Sequence, residues 1–330
     1  MAVSIEDIKK LRKLTSAGLS DCKAALAETN GDMEAAVEIL RQKGKAVAAK
    51  REDRDAAEGC VLADTKDNFA ALIALNCETD FVAKNQGFVD LTKQLLALAL
   101  ENKPKNLDEL KALTVDGRSV QDLVVEESGK TGEKTEISAY ECLEGESVVA
   151  YNHLGNKLST IVAFNQAGVD FQVMKDVAMQ VAAMNPVAIN REAVPQATID
   201  SEMNVAIEKT KEEQVKKAVE AALKKAGINP NLVDSEDHIE SNMAKGWLTQ
   251  EEADKARAIA RETAEAKAAN LPEAMIKNIA NGRLNKFFKE NCLVEQGFVK
   301  DEKITVGQYL EQNSKGLTVV AYKRVNLNED

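Results

Sequence analysis

Two stretches of this 330-residue chain repeat one order of elements at similar spacing, and that repeat narrows the folds open to it. In the first stretch, Glu58-Gly59 opens a strand from Cys60 to Thr65. Lys66-Asp67-Asn68 turns the chain, and a second strand runs from Phe69 to Cys77. Gln86-Gly87 then leads into a helix carrying Phe88, Leu91, Leu95 and Leu96. In the second stretch, Glu144-Gly145 opens a strand from Ser147 to Asn152, with a return strand from Leu158 to Phe164. A helix follows from Asp170, carrying Val173, Val177, Val181 and Met184 to a stop at Pro186. A two-stranded hairpin is marginal alone in water, so each needs a helix over its apolar face. The economical reading is an α+β fold whose core duplicates one strand-strand-helix subdomain.

Both flanks of this core read as helical. Ser4 is placed to cap a first helix with Ile5, Ile8, Leu11 and Leu14 along one face, and Thr15 to Gly18 breaks it. Ser20 is expected to cap a second helix, where Cys22, Ala25 and Leu26 lie close together, and Asn30-Gly31 stops it. Asp32 caps a third, with Met33, Ala36, Val37 and Leu40 inward, ending at Gly44. The result resembles a three-helix domain of the ubiquitin-associated type, followed by a charged, solvated linker over 45–55. From Thr198 to Phe288 the chain is rich in Ala, Lys and Glu. A first long helix stops at Gly227, Thr249 and Glu252 form a capping-box pair for a second, and Pro272 starts a third. An inserted antiparallel helical hairpin is expected there, with Leu317 to Val325 returning as the last strand of the second sheet. The expected domains are 1–55, a first core subdomain 56–143, a second built from 144–197 and 290–330, and the helical arm 198–289.

Composition removes several function classes. The net charge of −11 argues against a general nucleic-acid binder, although residues 1–54 hold 11 basic and 9 acidic side chains. Five scattered cysteines without a C-x-x-C pair suit reduced thiols in a cytoplasm. No signal peptide is legible at the start, and no apolar run is long enough to span a bilayer. There is no phosphate-binding glycine loop and no H-E-x-x-H run, so neither nucleotide nor metal is expected to bind this chain, and no cofactor is assigned. Only two histidines occur, His153 and His238. A cysteine hydrolase would have to combine Cys77, His153 and Asp80, a set that nothing in their spacing favours; the reading is of a protein that is not an enzyme.

The apolar run Ala70 to Leu75 ends abruptly at the corner Asn76-Cys77-Glu78-Thr79-Asp80-Phe81-Val82-Ala83-Lys84-Asn85. Asp80 is placed to cap the next turn, leaving Phe81 on its rim. From the residues alone, Phe81 is either a core aromatic or an exposed anchor. This corner, together with Leu11-Arg12-Lys13-Leu14-Thr15-Ser16-Ala17-Gly18-Leu19-Ser20-Asp21-Cys22-Lys23-Ala24-Ala25-Leu26, closely resembles the bacterial elongation factor Ts family. The resemblance runs from the first helix to about residue 325.

The resemblance implies a nucleotide exchange factor that binds elongation factor Tu in its GDP-bound and nucleotide-free forms. It implies that Thr79, Asp80, Phe81 and Val82 form the wedge that dislocates Mg²⁺ in that partner. It places Leu11, Leu19 and Lys23 of the three-helix domain, Thr131 and Gly132 of the loop Ser128 to Glu133, and Gln180 in further partner contacts. Two of these depart from the family pattern: Thr131 stands where an Ile is frequent, and Gln180 where a His is frequent. The helical arm is enlarged, chiefly between about 211 and 270. A helical adaptor using the three-helix head is the alternative class, and either the arm or a sheet edge offers a route to a homodimer.

Overall fold

The computed structural model describes residues 3–15 and 17–329, so Ser16, within the expected break after the first helix, lies outside the described residues. Two compact units emerge, one formed by 1–189 with 297–330 and the other by 190–296.

The first unit opens with α1 (Ile5–Thr15), α2 (Leu19–Glu28) and α3 (Met33–Ala49), packed around Ile8, Leu11, Cys22, Ala25, Leu26 and Ala36. Ser4 caps α1 through the Asp7 N–H at 3.0 Å, and Asp32 caps α3 through Ala35. Ser20 does not cap α2: the helix starts at Leu19, and the cap position falls on Gly18, two residues earlier, without a side-chain bond. Nor does α3 stop at Gly44. It continues to Ala49, because Gly44 lies against Gly129 of a later helix and packing overrides the glycine's poor propensity. The linker is correspondingly shorter.

Strands β1 (Glu58–Lys66) and β2 (Phe69–Cys77) pair antiparallel from Glu58↔Cys77 to Lys66↔Phe69. The short α4 (Asp80–Ala83) and the long α5 (Gln86–Asn102) follow the corner. Then come α6 (Leu107–Ala112), the small hairpin β3 (Thr114–Val115) and β4 (Arg118–Ser119), and α7 (Val120–Thr131). The strand β5 (Glu136–Glu144) returns beside β2 to give the sheet order β1-β2-β5. The second repeat supplies β6 (Ser147–Asn152), β7 (Leu158–Phe164) and α8 (Phe171–Met184) at the boundaries its pattern gave, and Asp170 caps α8.

Both faces of β2 are buried, so a covering helix is only half of its environment. Phe69, Ala71, Ile73, Leu75 and Cys77 meet Phe88, Leu95 and Ala99 of α5. Ala70, Leu72 and Ala74 meet Val148, Ile161 and Ala163 of the second sheet. The two sheets therefore stack face to face, with α5 outside one and α8 outside the other. The two Glu-Gly openings have a steric reason. A Cβ on Gly59 would sit 2.4 Å from the Leu75 carbonyl oxygen, and one on Gly145 would sit 2.8 Å from the Ala163 Cβ.

The second unit is a helical hairpin. α9 (Gln196–Lys225) is followed by the short α10 (Glu236–Ala244), and α11 (Gln250–Ala269) and α12 (Glu273–Asn291) both pack on α9. Pro272 breaks the return limb, and Thr249 with Glu252 makes the expected capping box. Leu223, Ile228, Val233, Ile239 and Leu248 form a separate small core at the far end. At the base, Arg191 reaches both Glu295 oxygens, at 2.5 and 2.6 Å, and lies over the Phe288 ring.

The chain then re-enters the first unit with β8 (Gly297–Phe298), β9 (Asp301–Thr305) and α13 (Val306–Asn313). The final strand β10 (Val319–Asn326) completes the sheet order β10-β7-β6. No described helix is long and apolar enough to cross a membrane.

Candidate functional site

The site is built where β2 runs out. The last β2–β5 pair is Asn76 with Glu136, after which the two backbones diverge. Side chains continue the ladder that the backbones abandon. The Glu133 carboxylate accepts from the Glu78 N–H at 3.1 Å, the Thr79 N–H at 3.0 Å and the Thr79 hydroxyl at 2.7 Å. In the opposite direction, Glu78 accepts from the Lys134 N–H at 2.7 Å. Two segments far apart in sequence thus clamp each other through reciprocal carboxylates.

Glu78 also receives Arg51 at 3.0 Å and Arg54 at 2.9 Å, both from the segment after α3. The Lys134 N–H, followed by the Arg54 and Arg51 guanidiniums, holds the Glu78 carboxyl down at about 2. These arginines were expected to sit in a solvated linker. Instead they fasten that segment to the corner, and in sequence they and Glu133 have the pattern of ordinary surface charges. The only sequence signal available was an acidic residue at each end of the two diverging strands.

The turn itself is capped by Thr79 and not, as expected, by Asp80. The Thr79 hydroxyl accepts from Val82 N–H at 3.4 Å, because the cap must precede the first helical residue and Asp80 already has helical backbone. Asp80 instead pairs with Lys84 across one helical turn at 2.6 Å. Val82 and Ala83 turn inward onto the first core. Phe81 is left pointing out, 83% exposed, on a corner whose neighbours are all fastened. Of the two placements open to this aromatic, core or surface, the surface is the one observed. An isolated large ring on such a surface is unusual, since most phenylalanines are buried.

Thr131 and Gly132 lie beside this corner, and a groove lined by Val82, Leu91, Lys130 and Thr131 joins them. They do not belong to a loop: α7 continues through Thr131, and Gly132 ends it in the left-handed conformation with φ 71°. The half-buried Thr131 donates its hydroxyl back to Glu127 O at 2.9 Å.

Two expected contact residues are internal. Leu11 is fully buried in the head, where the two-turn apolar face of α1 needs it as core. Gln180 is likewise fully buried. Its Nε2 donates to Gly297 O at 3.1 Å, and its Oε1 accepts from the Val299 N–H at 2.9 Å. A buried amide must be satisfied, and this one pins the turn between β8 and β9 to α8. Asp176, one helical turn earlier, fastens the same turn through Lys300 at 2.6 Å. Leu19 and Lys23, by contrast, are exposed one helical turn apart on α2.

This division gives a first prediction. Leu11→Ala should destabilise the head by about 2–5 kcal/mol through its cavity. Leu19→Ala should stay within about 0.5 kcal/mol of the parent. Hydrogen exchange at the α1–α3 amides measures both, and equal effects would contradict the assignment.

The cysteine-hydrolase arrangement does not form. Cys77 is buried and donates to the Thr79 carbonyl at 3.2 Å, and burial followed by the nearby Glu133 charge pushes its thiol up to about 12. That is opposite to what a thiolate nucleophile requires. His153 shares a hydrogen bond with the Tyr151 hydroxyl instead. Among the described residues, no cluster of histidine, cysteine and acidic side chains could hold a metal.

A family model described as Elongation factor TS matches residues 78–225 and 214–329 of this chain. Over 100% of both chains, the sequence is 56% identical to Elongation factor Ts of Bacteroides thetaiotaomicron and 53% identical to that of Parabacteroides distasonis. It is 46% identical, again over both full chains, to Elongation factor Ts of Porphyromonas gingivalis.

Proposed function

The chain belongs to the elongation factor Ts family, and from that premise we propose that it is a guanine-nucleotide exchange factor for elongation factor Tu. It binds the GDP form, loosens Mg²⁺ and nucleotide, and stabilises the empty state until GTP enters. It does so by binding alone, with no cofactor and no covalent step. The observation that carries this reading is the outward ring of Phe81 on a rigid corner.

The physics is one of competition. Mg²⁺ shared between a GTPase and its phosphates is a large part of why the nucleotide stays bound. A partner that binds better once the metal has gone weakens the metal's affinity by the same factor that the metal weakens its own. A shift of about 10⁴-fold requires roughly 5.5 kcal/mol of differential binding. Burying one Phe supplies only about 1.5–3 kcal/mol. Phe81 therefore acts with other contacts, and the exposed pair Leu19 and Lys23 and the half-buried Thr131 are candidates.

The test is direct. Elongation factor Tu loaded with fluorescent GDP is mixed with this protein, and release is followed against free nucleotide as trap. Release is expected to accelerate in proportion to factor until binding saturates. Release at the intrinsic rate at every concentration would end the proposal.

A further inference from the structure

We infer that Glu133 is a positioning residue for the exchange wedge, setting where Phe81 points by fixing the Glu78 and Thr79 N–H groups that lead into its turn; this rests on the exchange reading above. Beyond Asn76↔Glu136 the β2–β5 ladder has no further backbone pair. On the other edge β2 pairs with β1 only as far as Cys77, which faces Glu58. The β2–β5 ladder is also already irregular, because Ser138 is an extra residue between Ile137 and Ala139. A four-residue helix such as α4 cannot sustain itself, since helix nucleation is unfavourable and a single turn returns almost nothing.

The order of Phe81 must therefore come from outside its own segment. Glu133 supplies it with one carboxylate that takes three donors, two backbone and one side-chain, from consecutive residues. The third donor matters most. The Thr79 hydroxyl gives its proton to Glu133, which orients its remaining lone pairs toward the Val82 N–H and so sets the first turn of α4. Glu133 in turn is placed by α7: Gly132 reverses the chain in a conformation that favours glycine, and the Glu133 N–H donates to the Thr131 hydroxyl at 3.2 Å. Direction thus passes from the α7 terminus through Glu133 and Thr79 to the ring, and Glu133 itself need touch no partner.

Glu133→Ala is expected to lower exchange by about 10- to 100-fold, because misplacing a working group by an ångström costs on that order. Glu133→Gln keeps a carbonyl oxygen for both N–H groups and an amide for the Thr79 oxygen, so it should retain activity within about 3-fold. The decisive measurement is the pair with Phe81→Ala. A residue acting only through Phe81 adds nothing once the ring is gone, so the double variant should exchange no more slowly than Phe81→Ala alone. Losses that multiply, an unimpaired Glu133→Ala, or a Glu133→Gln as poor as Glu133→Ala would each overturn the inference.

A variant that misfolds is recognised by hydrogen exchange. In Glu133→Ala, protection should fall at the Glu78 and Thr79 amides and persist along Phe69 to Leu75, and general loss would mark Glu133 as merely structural. Wild-type protein that fails to accelerate GDP release removes the proposed function itself. A working wild type with multiplying losses removes only the role of Glu133.

Discussion

Phe81→Ala is expected to cut acceleration of GDP release from elongation factor Tu by roughly 10- to 100-fold, while leaving the protein as stable as its parent. The magnitude follows from the ring. Full burial of a Phe is worth about 1.5–3 kcal/mol, and each 1.4 kcal/mol is a tenfold change. That energy counts toward the rate only if the ring is buried in the exchanging complex and not in the encounter complex. The unchanged stability follows from exposure: at 83% exposed, the ring contributes almost nothing to this protein's own core.

Val82→Ala provides the contrast, because Val82 packs partly against the first core and should lose stability as well as exchange. Stopped-flow release of fluorescent GDP, combined with thermal melting of the free factor, separates the two. A Phe81→Ala protein that exchanges normally would show that the aromatic is incidental. One that melts early would show that the ring is not the free group described here.

Much of this was legible in the residues. The paired Glu-Gly openings, the turn Lys66-Asp67-Asn68 and the stop at Pro186 located four strands and two helices of the core to within a residue or two. These elements follow local rules of alternation, turns and caps. What stayed hidden depends on contacts distant in sequence. The strand β5 carries Ile137 and Tyr140 to the same core although they are three residues apart, because the extra Ser138 breaks the period of two. A reader expecting strict alternation passes over it.

Phe81 was visible as an aromatic at a strand end, but the bracing of its corner was not. Glu133 and Arg51 look like any other surface charges until the fold brings them to residues 78 and 79. The burial of Gln180 was hidden for a related reason. The amphipathic pattern of α8 shows which face is apolar, but a polar residue on that face is read as outward unless its buried partners are known. Its partners, Gly297 and Val299, arrive more than a hundred residues later.

Gly129→Ala is expected to loosen the head from the core, whereas Gly44→Ala should not, although the two glycines face each other. α3 and α7 cross at this pair. A Cβ on Gly129 would stand 2.5 Å from the Gly44 Cα and 3.3 Å from its carbonyl carbon, both backbone atoms with nowhere to move. A Cβ on Gly44 would stand 3.5 Å from the Gly129 Cα, an ordinary contact. Overpacking of the first kind costs about 1–3 kcal/mol. Replacing a mid-helix glycine by alanine returns roughly 0.5–1 kcal/mol, a gain open to Gly44 within α3 and smaller at Gly129 in the last turn of α7.

Gly129→Ala is therefore net destabilising at the crossing, and Gly44→Ala is neutral or slightly stabilising. The head has its own core, so the cost should appear as separation of the helices and not as melting of the head. Separation strains the Arg51 and Arg54 bonds to Glu78 and frees the backbone of the segment that carries the basic cleavage sites Lys50, Arg51 and Arg54. When opening is fast relative to cleavage, proteolysis reports the open population, so trypsin should cut Gly129→Ala there up to about 10-fold faster than wild type. Gly44→Ala should be cut no faster than the parent. Equal rates for the two variants would mean that the crossing is not the contact that docks the head. A faster cut in Gly44→Ala would mean that helix propensity, and not the clash, decides the geometry.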